Sequence, residues 1–209
     1  MSLYERYVLP HIINYGCSSE SIQMQRGKIV PLAEGRVLEI GIGSGLNIPF
    51  YNAENVDFVW GLEPSVGIRR KAKKNLNRSA VEVKWLELHA EEIPLENNSV
   101  DTVLLTYSLC TISDWHTALR QIHRVIKPSG KLLFCEHGAV PDKSVLTWQS
   151  RINPIWRLIA GGCHLNRPIP DYIREGGFHI KTMENLYLPK TPRVAGFNYV
   201  GVAKKGLQS

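Results

Sequence analysis

The stretch VLEIGIGSGLNIPF, Val37 to Phe50, decides how the rest of the chain is read. The short run Val37 to Ile40 reads as a buried-type strand. It ends in three glycines at alternate positions, Gly41, Gly43 and Gly45. Glycine serves turns that need positive φ or a close approach of the backbone. A glycine turn after the first strand of an open α/β sheet is a ligand site, and the expected continuation is a helix offering free N–H groups.

Outward from this turn, strand and helix patterns alternate. Asp57 to Leu62 reads as a second strand ending at Glu63-Pro64, and Ser65 caps a basic helix running to about Arg78. Val81 to Leu88 and Ser99 to Tyr107 read as the third and fourth strands. Trp115, Leu119, Ile122 and Val125 share a helical face, and KPSG, Lys127 to Gly130, reads as the turn that stops that helix before the strand Lys131 to Glu136. Two more strands, in GGFHIKTMENLYL and FNYVGVAKK, follow, joined by a long loop. The expected fold is α/β, a doubly wound and mostly parallel sheet. Residues 1–35 read as an N-terminal helical arm, with a stripe of Leu3, Tyr7 and Ile12 interrupted by Pro10, and a second helix from Ser21 to Leu32. Residues 36–209 form the main domain, with an insert at about 138–175, and the tail GLQS is expected to fray.

The bulk properties fit one domain of ordinary globular composition, with 209 residues, 44% hydrophobic and 21% charged. A net charge of +6 weakly favours anionic partners. The basic helix Arg69 to Arg78 reads as a solvated outer face rather than a nucleic-acid site, since no aromatic platform accompanies it. No apolar run is long enough to span a bilayer, and no secretory signal is evident. A cytoplasmic protein with reduced thiols is expected. The cysteines Cys17, Cys110, Cys135 and Cys163 show no CxxC spacing, and Cys163-His164 has no third ligand at matching spacing, so no metal is expected.

The residues around the turn narrow its ligand. Dinucleotide sites want G-x-G-x-x-G, and the third position here is Leu46. Glu39, just before the turn, would repel a diphosphate but suits a cationic group. Glu63, 22 positions after Gly41, can take both hydroxyls of a ribose. S-adenosylmethionine, with an ammonium, a sulfonium and no phosphate, fits this pair of acids better than NAD.

The chain resembles the class I S-adenosylmethionine-dependent methyltransferases over at least residues 36–136. The matching stretches are VLEIGIGSG, GLEPS, HAEEIPLENNSVDTV, TYSLCTI and RVIKPSGKLLFCEH. The resemblance implies a Rossmann-like sheet of seven strands with the last one antiparallel. It also implies a cofactor held by Glu39, Gly41, Gly43, Gly45, Glu63, Pro64, the loop His89-Ala90-Glu91 and Thr106, and released as S-adenosylhomocysteine. His89 stands where the family often has Asp, so His89 or Glu91 takes over the adenine contact, or backbone atoms do.

The second half carries EH, W..Q....P.W, GGC.L.R, GF and Y.G.A, and resembles small-thiol S-methyltransferase-like proteins. The implied acceptor is a small, apolar molecule, with a thiol first. Methylation of a lipid or quinone-like substrate at N, O or C is the alternative, and a non-catalytic cofactor-binding module is a further one. Methyl transfer from a sulfonium needs positioning and exclusion of water more than a strong base. His137, at the end of the fifth strand, is the candidate base or else orients the loop that follows. Trp148 and Trp156 wall an acceptor pocket, pack as core, or, beside Arg151 and Arg157, touch a membrane surface. Their segment places Trp148, Ile152, Ile155, Trp156 and Ile159 on one face, with Pro154 breaking or kinking the helix. Cys110 is expected in the pocket wall. Sequence leaves the oligomeric state open.

Overall fold

A computed structural model describes residues 16–206 of the chain. The expected stripe of Leu3, Tyr7 and Ile12 lies outside the described residues, as do the last three of the tail. Seven strands form one sheet: β1 (Gly35–Ile40), β2 (Val56–Leu62), β3 (Val83–Leu86), β4 (Val100–Thr106), β5 (Ile126–His137), β6 (Phe178–Tyr187) and β7 (Phe197–Lys205). Their order is β3-β2-β1-β4-β5-β7-β6. The first five pair in parallel, and β7 runs antiparallel to both β5 and β6. The strand order reverses between β1 and β4, where open sheets of this class hold their ligands.

The central strands are apolar on both faces because both faces are covered. Their side chains alternate between two cores. Val103, Leu105, Leu132 and Phe134 pack with Ala118, Leu119 and Ile122 of helix α3 (Trp115–Val125). Leu104, Leu133 and Cys135 pack on the other face with Ile29, Val30 and Ala33. Ile29 ends helix α1 (Glu20–Ile29), so this part of the expected arm is built into the domain. Helix α2 (Val66–Leu76) buries only Ala72, and leaves Arg70, Lys73 and Lys74 in solvent.

Two local readings are corrected. KPSG does not separate α3 from the next strand. Helix α3 ends at Val125, β5 begins at Ile126, and the register of β5 against β4 slips between the Val100–Ile126 and Thr102–Lys131 pairs. Lys127 to Gly130 are the bulge that takes up this slip. Second, Pro154 does not break helix α4 (Lys143–Ile159), which is continuous through it. Pro154 and Ser150 are both exposed, so the carbonyl that loses its helical partner faces water.

Gly201 of β7 shows how closely this end of the sheet is packed. A Cβ there would lie 2.3 Å from the Thr182 carbonyl oxygen and 2.6 Å from the Phe134 ring. Gly201→Ala is expected to cost about 1–3 kcal/mol, the usual range for overpacking, read as a lower urea midpoint at unchanged m value.

Candidate active site

The glycine turn leaves β1 through three left-handed residues, with φ of 67° at Gly41, 59° at Gly43 and 74° at Gly45. The N–H groups of Gly41 and Ile42 both donate to the Leu62 carbonyl, at 2.9 and 3.2 Å, which ties the turn to the end of β2. Gly45 is a packing glycine: a Cβ there would meet Ile48 at 2.7 Å and Ala72 at 3.4 Å. The helix expected after the turn is absent. Only a single 3-10 turn, Ile48–Phe50, follows, with Pro49 inside it. The site therefore lacks the helix N-terminus that would favour a pyrophosphate.

Beneath the turn sits a buried polar network. Glu39 accepts from the Asn47 amide at 2.8 Å and from the Tyr51 hydroxyl at 2.6 Å. Burial raises the Glu39 pKa, and these two bonds oppose that rise. The Asn47 amide also donates to Thr106 Oγ1 at 2.7 Å, and Arg26 donates to Asn47 Oδ1 and, at 3.1 Å, to Thr106 Oγ1. Both Glu39 oxygens are thus engaged within the protein. Glu39 does not line the cavity described next.

That cavity, of about 500 Å³, opens at the switch point. Gly41, Gly43, Glu63, Pro64, His89, Ala90, Glu91 and Thr106, all expected from sequence, line it. Gly45 and Cys110 do not. One Glu63 oxygen accepts from the Ser65 N–H at 2.9 Å. Burial raises the Glu63 pKa, opposed by the N–H groups of Ser65 and Gly43. Sequence reasoning missed Arg26, a guanidinium only 4% exposed that lines the cavity. Its Nε is buried without a hydrogen-bond partner, so the residue that lines the cavity keeps one unpaired donor, and its charge suits a carboxylate. A lone arginine in a weakly amphipathic helix carries no sequence signal. With Glu63 at one end, Arg26 at the other and no helix N-terminus between, the residues fit S-adenosylmethionine.

Beyond Thr106 the cavity is walled by Cys17, Tyr107, Ser108, Thr111, Gly161 and Gly162. Behind this wall three side chains converge. His137 Nε2 is 3.1 Å from Cys163 Sγ, and Cys163 Sγ is 3.7 Å from Cys110 Sγ. The Cys110 thiol, with His137 adding to its effect, pulls the Cys163 pKa well below that of a free thiol against the cost of burial. Burial opposes charge on His137, yet the Cys163 sulfur raises its pKa. His137 therefore engages Cys163 rather than standing alone as a base, and it is not among the lining residues. Sequence spacing offered Cys163 no third ligand; the structure brings Cys110, from the loop after β4, and His137, from the end of β5, to it from distant segments. His164 turns away, 3.5 Å from Asn153.

Glu136 fixes this arrangement. Its Oε1 accepts from the N–H groups of Ser108 and Leu109 at 2.8 and 3.0 Å, which holds the loop that carries Cys110. The His164 N–H donates to the Cys110 carbonyl at 2.9 Å, so the two cysteine loops are tied together.

The two tryptophans part company. Trp156 is half-buried, and its indole N–H makes no hydrogen bond of sound geometry but lies close enough to the Cys163 sulfur to lower its pKa. Trp148 is 57% exposed, with the Arg151 guanidinium 5.5 Å from its ring. It reaches neither the cavity nor the core. The inward stripe of α4 is Val145, Gln149, Ile152 and Trp156, and the only fully buried member is Gln149. Gln149 Oε1 accepts from Val140 N–H, and its Nε2 faces the carbonyls of Gly138, Leu165 and Val194 at 3.0–3.1 Å. Ile155, Leu158 and Ile159 face out with Trp148. Among the described residues, no helix is long and apolar enough to cross a membrane.

Comparison with known proteins agrees with this geometry. Residues 38–134 match a methyltransferase domain family. The chain is 30% identical over 172 residues to the thiol S-methyltransferase TMT1B of Rattus norvegicus, covering 78% of this chain and 70% of that one. It is 26% identical over 138 residues to a phosphatidylethanolamine N-methyltransferase of Cereibacter sphaeroides, covering 65% and 66%. In three dimensions it resembles a putative methyltransferase from Bacillus halodurans, with a TM-score of 0.72 at 14% identity over 90% of this chain and 100% of that one. The unused donor of Arg26, the acid at the end of β2 and these relatives converge: the chain belongs to the S-adenosylmethionine-dependent methyltransferases.

Proposed function

We propose that the protein methylates the sulfur of a small thiol. The observation that carries this reading is the 30% identity to a thiol S-methyltransferase, which extends over 172 residues and so well beyond the segment 38–134 of the general methyltransferase domain. The acceptor-side wall supports it. That wall is made of small groups, the exposed Thr111 and the half-buried Gly161 and Gly162, beside the half-buried Tyr107, and suits a compact substrate.

The chain's residues divide the work. Glu63 holds the ribose and Arg26 takes the carboxylate of the cofactor, while the Gly41–Gly43 backbone lies against its amino acid part. His89, Ala90 and Glu91 bound the adenine. When bound, the cofactor supplies a methyl group on a sulfonium, a leaving group that needs no further activation. The cavity wall holds the acceptor sulfur in line and keeps water out. A free thiol has a pKa near 8.5, so only a small fraction is thiolate at neutral pH, and the groups behind the wall, His137 and Cys163, are placed to increase it. Trp156 shapes that wall from behind through its contact with Cys163.

Incubation with S-adenosylmethionine and a panel of alkyl thiols, phosphatidylethanolamine and a hydroquinone tests the acceptor. The expected outcome is S-adenosylhomocysteine release with a methyl thioether found by mass, from the thiols alone. Turnover of the lipid or the hydroquinone without any thiol product would overturn the reading. Glu63→Gln keeps the shape but replaces charge-assisted hydrogen bonds by neutral ones. That loses about 1–2 kcal/mol, roughly a 5–30-fold rise in the Kd for S-adenosylmethionine by calorimetry. Trp148→Ala is expected to leave the KM for the thiol unchanged and to shift Tm by no more than about 2 °C, as for an exposed site. Trp156→Phe, by contrast, raises that KM.

A further inference from the structure

We propose that Cys110, His137 and Cys163 form a binding site for a soft divalent cation of the zinc class, with a fourth position open to the acceptor sulfur. The role of that fourth position rests on the thiol reading above; the cation site itself does not. The three ligand atoms, Cys110 Sγ, His137 Nε2 and Cys163 Sγ, all lie within 4.8 Å of one another. Tetrahedral zinc, with Zn–S near 2.3 Å and Zn–N near 2.0–2.1 Å, places two sulfurs about 3.8 Å apart and a sulfur and a nitrogen about 3.6 Å apart. The two sulfurs here are already at 3.7 Å. The imidazole, at 3.1 Å from Cys163, recedes by about 0.5 Å to meet that geometry against this sulfur, and its distance to the Cys110 sulfur is within 4.8 Å. The sulfurs are far beyond the 2.03–2.05 Å of a disulfide, and all four cysteines of the chain are free.

The ligands are held in place before any ion arrives. Glu136 fixes the loop before Cys110 through two N–H bonds. Arg167, itself buried, donates to the carbonyls of Leu109 and Ile112 on either side of it. The His164 N–H clasps the Cys110 carbonyl, and the His137 ring stacks at 6.5 Å on Tyr107. Such support of the ligands by their neighbours is what a functional metal site requires.

The donor set also fits the chemistry of the position. Two thiolates and a neutral imidazole cancel the charge of a divalent ion, so the filled site is neutral and cheap to bury. Sites with three protein ligands are the catalytic kind, with the fourth position left for water or substrate. None of the three ligands lines the cavity itself, but Thr111 and Gly162, the neighbours of Cys110 and Cys163 in the chain, both do. The cluster therefore lies one residue behind the cavity wall, and the acceptor sulfur has to reach the fourth position through that wall. A thiol that takes this position loses its proton to solvent, since a coordinated thiol is deprotonated outright. The S–H bond breaks and a sulfur–metal bond forms. A sulfur lone pair then forms the bond to the methyl carbon, while the methyl–sulfonium bond breaks and its electron pair stays on the cofactor's sulfur. The thioether product, neutral and a poorer ligand, leaves.

Titration of the reduced, chelator-stripped protein with cobalt(II) tests the site without turnover. The expected result is one equivalent bound, with the visible bands of tetrahedral cobalt and the near-ultraviolet band of cobalt–thiolate charge transfer. Cys110→Ser and Cys163→Ser should each weaken binding by more than about 100-fold, since even the outer partners of metal ligands cost about 10–100-fold. Cys135→Ala, outside the cluster, should not. Retained S-adenosylmethionine binding by calorimetry shows that a variant has folded. Propanethiol should shift the charge-transfer band. Octahedral or unsaturable cobalt in the wild-type protein, or equal binding by wild type and both serine variants, overturns the site. Full thiol methylation after exhaustive chelation overturns its catalytic use and leaves the thiol reading intact. Tight tetrahedral cobalt without any methylated thiol supports the site and sinks the thiol reading instead.

Discussion

The site is organised by a carboxylate that never touches it. Glu39 sits one residue before the end of β1 and is 1% exposed. A buried carboxylate is costly unless its oxygens are satisfied. Glu39 meets that demand with Asn47 and Tyr51, both from the segment after the glycine turn. The turn must therefore curl back over the strand end, which requires left-handed backbone at Gly41, Gly43 and Gly45. Asn47 then reaches Thr106 at the end of β4 and Arg26 on α1. One buried charge thus joins three segments and aims Arg26 into the cavity. Spent in this way, Asn47 and Tyr51 frame a 3-10 turn where a nucleotide fold of the dinucleotide type would place a helix.

Glu136 repeats the device on the acceptor side. It too stands one residue before a strand end, fully buried, and it spends one oxygen on the loop after β4. Its other oxygen, Oε2, is buried without a partner. Burial raises the Glu136 pKa, opposed by the Leu109 and Ser108 N–H groups. The loop between the two strand ends is therefore clamped from the cofactor side by the Glu39 network through Thr106, and from the acceptor side by Glu136. Cys110 lies just past the second clamp. Its position is set by the same polar pairing that forms the cavity floor.

The sheet was legible because each of its central strands is a compact apolar run bounded by turn residues, and the cofactor half because its residues follow strand ends in chain order. Glu63 and His89 to Glu91 fall at positions that the topology brings to one edge. What sequence hid was of two kinds. Arg26, and the meeting of Cys110 with Cys163 and His137, depend on single side chains brought together from distant segments, and a single side chain has no period. Helix α4 misled for a different reason. Its apolar residues Trp148, Ile155 and Ile159 give the stronger periodic signal, yet the inward stripe lies one position along and centres on Gln149. A polar residue that satisfies one N–H and faces three carbonyls anchors the helix as well as an apolar one would, and hydrophobic patterning counts it on the wrong side.

The two halves of the cavity are built in different ways. The cofactor half is made of backbone turns and strand-end acids, whose positions follow from the sheet. The acceptor half is made of the loop after β4, the last residue of β5 and the segment after α4, which meet only because Glu136, Arg167 and Gln149 tie them. Specificity in such a fold is carried by those ties rather than by the strands. Methyltransferases acting on a thiol and on a phosphatidylethanolamine can therefore both be relatives of one chain. In this chain those ties bring two thiols and an imidazole together behind the cavity wall.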